Sequence, residues 1–131
     1  MSIRFDSIDE NELEDQIQSL NKPLILCKLK QVPSQNNLLM NLPVTFPNYS
    51  NLEPSQKVYF YVKNNEIHFN LEEPRHYTSI RRTLQWYGTN EQKYFRTPIP
   101  VQYRKKYLLD RYKTVHMIET DLKGEYRCVF V

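Results

Sequence analysis

The sequence predicts an α+β fold: a mainly antiparallel sheet built from hairpins over 57–72 and 114–131, with an N-terminal helix and two central helices. Three observations carry that expectation. Short runs rich in Val, Ile, Phe and Tyr recur along the chain, as strands do. Two of these runs flank the pair Asn64-Asn65, whose side chains tolerate the positive φ of a tight hairpin turn. Three other stretches space their apolar residues by threes and fours, the period of a helix with one buried side. With strands paired through hairpins, the order α β β (β β) α α (β β) points to segregated helices on an antiparallel sheet. At 131 residues the chain is the size of one domain, read as spanning 1–131.

The elements follow in order. Residues 7–20, SIDENELEDQIQSL, open with a capping box at Ser7 and Glu10 and carry acids through the first turns, where the helix dipole favours them. Leu13, Ile17 and Leu20 form the apolar stripe, and Asn21 and Pro23 end the helix. Strands are read at 23–30 (PLILCKLK) and at 37–46 (NLLMNLPVTF), the second interrupted by Pro43, which suits an edge or a bend. The Pro- and Asn-rich stretch that follows is a loop, and KVYFYVK and EIHFNLE form the hairpin. A helix is expected over 74–87, opened by Pro74 and closed by Gly88. Its stripe Tyr77, Ile80, Leu84, Tyr87 would face the core, and Arg75, Ser79, Arg82, Trp86 would lie on another side. After a linker at 89–100, a third helix begins at Pro100 or Val101 in PVQYRKKYLLDRYK. There Val101, Leu108, Leu109 and Tyr112 are the expected buried side. The segments TVHMIET and EYRCVFV close the chain as a hairpin.

Charge is unevenly distributed. Residues 1–74 carry 6 basic and 10 acidic residues, residues 75–113 carry 10 and 2, and residues 114–131 carry 2 and 3, within a net charge of +3. The +8 middle segment also holds Tyr77, Trp86, Tyr87, Tyr94, Phe95, Tyr103, Tyr107 and Tyr112. Cations neutralise phosphates and release counterions, while aromatic faces stack bases at about 1–3 kcal/mol each. The leading expectation is therefore a non-catalytic intracellular subunit, cytoplasmic or nuclear. It would bind single-stranded or structured RNA or DNA within a larger multi-protein complex. The residues expected to carry binding are Arg75, Arg81, Arg82 and Trp86, then Tyr103, Arg104, Lys105, Lys106, Tyr107 and Arg111. The alternative is an adaptor that docks an acidic protein partner through the same surface, since Tyr and Arg are enriched at interfaces. The bland reading is a set of solvated helix faces, part of whose field the acidic first helix would cancel.

Chemistry that leaves a signature is missing. Two glycines, Gly88 and Gly124, exclude glycine-rich phosphate loops. His68, His76 and His116 have no second ligand at metal spacing, so neither metal nor cofactor is expected, and no nucleophile motif occurs. A small enzyme such as a nuclease, with His68 and His116 meeting in the fold, is the third reading. Cys27 and Cys128 are expected to be free buried thiols, with a disulfide left open because sequence does not fix their separation. The acidic N-terminus lacks the apolar core of a secretory signal, and no run approaches a membrane span, so no membrane is expected.

Overall fold

Alternating burial dominates the structure, a computed structural model that describes residues 24–131. The helix expected over 7–20 lies outside the described residues. Nine antiparallel strands form one sheet: β1 (Ile25–Val32), β2 (Asn37–Asn41), β3 (Lys57–Lys63), β4 (Glu66–Asn70), β5 (Ser79–Thr83), β6 (Gln85–Gly88), β7 (Lys93–Pro98), β8 (Thr114–Glu119) and β9 (Glu125–Phe130). One α-helix, α1 (Val101–Tyr107), stands among the described residues, beside short 3-10 turns at Pro33–Gln35, Tyr49–Asn51 and Leu109–Arg111. The sheet order is β5-β3-β4-β9-β8-β1-β2-β7-β6. Its two edge strands, β5 and β6, are joined by a single residue, Leu84, so the sheet curls into a nearly closed barrel.

This corrects the α+β expectation. The decisive segment is 74–87, read as a helix and folded as strand. Its first half pairs with β3 (Phe60↔Ile80, Val58↔Arg82) and its second half pairs with β7 (Trp86↔Phe95, Tyr87↔Tyr94). Between them the Leu84 amide donates to Gln56 O at 2.8 Å, and its carbonyl accepts from the Ser55 amide at 3.1 Å. Ile80, Arg82, Leu84 and Trp86 also alternate at period two. The 80-to-84 spacing satisfies both periods, and long-range pairing with two partners decides for the strand. Gly88 thus ends a strand rather than capping a helix. Its φ is +107°, and an added Cβ would sit 2.4 Å from Gln92 O, so only glycine fits.

The hairpins at Asn64-Asn65 and between β8 and β9 are present, with φ of 54° and 62° at the two asparagines. Inward residues fill the barrel: Met40, Val58, Phe60, Phe69, Val115 and Met117 are fully buried. Burying each such side chain stabilises the fold by about 1.5–3 kcal/mol. The 42–56 connection brings Phe46 and Leu52 into the same core. From the opposite chain direction, α1 packs Tyr103 and Tyr107 against it and the following 3-10 turn adds Leu109. Cys27 and Cys128 are free thiols inside the barrel, and Cys27 Sγ donates to Met117 Sδ at 3.4 Å. Burial pushes the Cys27 thiol up to about 12, which leaves it protonated and unreactive at neutral pH.

Strands β4 and β5 flank β3 and both run antiparallel to it, so residues 71–78 must cross back over β3. They do so on the outer face, where Tyr77 stacks on Tyr61 at 5.6 Å and Tyr61 stacks on His68 at 5.7 Å. That covered strip holds Glu125, buried at 2% exposure although it points away from the barrel interior. Its carboxylate accepts from Tyr61 Oη (2.5 Å), Thr120 Oγ1 (2.7 Å) and Lys63 Nζ (3.1 Å). Burial alone would raise its pKa, but these donors outweigh it and hold the carboxyl below its ordinary range.

Candidate nucleic-acid interface

The topology sorts charge around the barrel in a way the linear sequence does not display. Six strands that are contiguous around the wall, β1, β2, β7, β6, β5 and β3, contain no Asp or Glu. They carry eight cations: Lys28, Lys30, Lys57, Lys63, Arg81, Arg82, Lys93 and Arg96. The other three strands, β4, β9 and β8, hold Glu66, Glu119, Glu125 and one cation, Arg127. Chain segments distant in sequence, 25–41, 57–63 and 79–98, therefore build one wall whose strands are acid-free, with Glu91 exposed in the β6–β7 turn.

The exposed aromatic rings among the described residues are on or beside that wall. Tyr77, Trp86, Tyr87 and Tyr94 are 41, 39, 43 and 41% exposed. The β6–β7 pairing sets Tyr87 directly opposite Tyr94 on the outer face, and the two rings stack at 5.3 Å. Cross-strand pairs on one face are close enough for this contact by sheet geometry alone. Arg96 lies over the Tyr87 ring at 5.1 Å, Lys93 over Trp86 at 5.4 Å and Lys63 over Tyr77 at 5.8 Å. The Arg96 Nε is buried and has no hydrogen-bond partner, a donor left unused. In the same outward row, Gln85, Arg96, Asn41 and Lys28 succeed one another across four strands.

No family model matches the chain, and no curated protein or solved structure matches it.

Each residue singled out from the sequence has a definite place. Arg75 is exposed in the 71–78 crossover, and Arg81 is exposed on the outer face of β5, opposite Tyr59. Arg82 has the inward register of Ile80 and Leu84 and is half-buried, its Nη1 donating to Arg81 O at 2.9 Å. Trp86 is exposed under Lys93, two residues from the β6–β7 turn. The helix residues are differently engaged. Tyr103 and Tyr107 are half-buried against the core with centroids 6.2 Å apart, and Tyr103 Oη donates to Phe60 O at 3.4 Å. Arg104 makes a two-pronged pair with Asp110 (2.8 and 2.9 Å) and donates to Asn36 O at 2.6 Å. Lys105 and Lys106 are exposed, Lys106 over the Tyr107 ring, and Arg111 lies over Tyr112 at 4.8 Å.

The structure sets Tyr87, Tyr94 and Arg96 together on the outer face of the β6–β7 hairpin, while Trp86 and Lys93 share the register of Phe95 on its other face. Tyr77 and Tyr87, expected in the core, are among the most exposed rings. A usable signal was present: QWYG and KYFRTP are short aromatic runs joined by Thr, Asn and Gly, a hairpin pattern. His68 and His116 both point outwards, but β9 separates their strands, and His68 Nδ1 lies 3.0 Å from Glu66 O. No group of three or more His, Cys, Asp or Glu that could hold a metal occurs among the described residues. Among those residues, no helix is long and apolar enough to cross a membrane.

Proposed function

We propose that the protein binds single-stranded RNA or DNA along its acid-free wall, with the β6–β7 hairpin as the stacking platform. The observation that carries this reading is the coincidence of two sortings: eight cations and no carboxylate on six contiguous strands, and the exposed Tyr87 and Tyr94 rings on the outer face of that wall. Rings at about 40% exposure forgo part of the 1.5–3 kcal/mol that burial of a large side chain provides. A ligand that covers them recovers it, and bases stacked on such rings contribute about 1–3 kcal/mol each. Outward cations such as Arg96 and Lys28 supply phosphate contacts beside that platform. Duplex readout is not favoured, because stacking on exposed rings needs bases that are not already paired and stacked.

A fluorescent single-stranded oligonucleotide titrated at several salt concentrations tests the proposal. Neutralising about four phosphates gives a slope of roughly −3 in log K against log salt. Absence of binding at low salt, or binding indifferent to salt, rules it out. Capture of an acidic protein by the same wall with no oligonucleotide affinity would replace it with the adaptor reading.

A further inference from the structure

A second feature stands apart from the hairpin. Between α1, the 3-10 turn after it and the β1–β2 turn lies an open cleft of about 480 Å³. Volumes from about 300 Å³ upward are typical of small-molecule sites. Its lining is mainly apolar, with exposed Val101 and Leu108 and the stems of Arg104 and Lys105. Its charge is not balanced. Arg104, Lys105 and Arg111 face one acid, Asp110. Asp110 is already bound on both oxygens by Arg104, whose side chain is nine-tenths buried and held by Asn36 O as well. That pair is a fixed, self-neutralising floor. Among the described residues, Lys105 and Arg111 then remain as two cations with no carboxylate facing them within the cleft.

We propose that this cleft binds a phosphomonoester with an apolar body, the chemistry of a nucleotide. Two cations over a neutral floor match a phosphate dianion, whereas a carboxylate would satisfy one of them. Arg111 offers a planar fork suited to phosphate oxygens, and Lys105 a mobile point charge. The apolar part of the ligand rests on Val101 and Leu108. The carbonyl end of the short helix α1 disfavours an anion, but only over its last turn and more weakly than two cations favour it. The site does not depend on the hairpin reading, since it uses none of its residues. The ligand can be a free nucleotide or the phosphorylated end of a strand.

The test is a titration of the full chain with AMP, adenosine and inorganic phosphate, followed by amide chemical shifts and calorimetry. AMP should shift the amides of residues 101–111 saturably and bind about tenfold more tightly than adenosine, as a charged hydrogen-bonded group does. Lys105→Gln combined with Arg111→Gln should lower AMP affinity about tenfold or more, with the melting temperature retained because both residues are exposed. No shift at millimolar AMP overturns the proposal, as does equal affinity for adenosine or an unaffected double variant. A 5′-phosphorylated tetranucleotide that outbinds both AMP and its unphosphorylated form identifies a strand end; AMP binding as tightly identifies a free nucleotide. Repeating the AMP titration on Trp86→Ala separates the two sites: unchanged AMP binding upholds the cleft even where oligonucleotide binding fails, and lost AMP binding overturns it.

Discussion

The β6–β7 hairpin and the stretch from α1 to Tyr112 are built from the same residue types, Tyr, Arg and Lys, yet they use them in opposite ways. In the hairpin, period-two geometry turns Tyr87 and Tyr94 outward together and leaves Arg96 over one of them. In the helical stretch, Tyr103 and Tyr107 turn inward against the barrel core, while Arg104 is bound to Asp110. One set of rings is held out as a surface and the other serves as a lid. Composition alone gives both segments the same score as binding surfaces; the secondary structure decides which of them has rings to offer.

Six substitutions, two of them controls, test that contrast. The largest effect is expected from Gly88→Ala, which strains a φ of +107° and drives a Cβ into Gln92 O. It should cost about 3 kcal/mol in chemical denaturation and loosen the hairpin platform with it. Arg104→Ala should cost about 2 kcal/mol, since it removes two charged hydrogen bonds and a third to Asn36. Its pH dependence gives a second readout. The Arg104 guanidinium holds the Asp110 carboxyl below its ordinary range, so this contribution is complete above about pH 4 and is lost on further acidification. Wild-type stability should therefore fall more steeply than that of the variant below that pH. If the acid limbs are parallel, Arg104 does not act through Asp110.

Two smaller effects concern binding. Trp86→Ala should lower affinity for an unphosphorylated oligonucleotide about tenfold, while Tyr103→Phe leaves it unchanged. Equal losses from the two would erase the distinction between platform and lid. Smallest is the change in salt slope. Arg96→Gln should reduce it by about 0.7, the counterion release of one phosphate contact on a single strand, and Lys106→Gln should leave it as it is.

Parts of this were legible in the chain itself. The Asn64-Asn65 turn, the C-terminal hairpin and the uneven charge rest on local rules, and local rules survive folding. The 74–87 segment does not work that way. Tyr77, Ile80, Leu84 and Tyr87 fit a helical stripe, and what overrides it is pairing with two strands, β3 and β7, of which no local pattern gives notice. The acid-free wall was only half visible. Its 79–98 portion stands out as a basic run, whereas Lys28, Lys30 and Lys57 sit in an otherwise acidic first half and join it through strand order alone. The four-residue spacing of Tyr103 and Tyr107 marks one helix side without saying whether that side meets a core.

Leu84 has a mechanical consequence. Strands β5, β3, β4, β9 and β8 form one leaf of the wall, and β1, β2, β7 and β6 form the other. The leaves are laced together by the single ladder of β1 with β8, Ile25↔Met117 to Lys28↔Thr114. On the far side the chain itself joins them at Leu84. The barrel is thus closed by a hydrogen-bonded clasp on one side and a one-residue covalent join on the other, and the 42–56 and 99–113 connections tie the same two leaves across its ends.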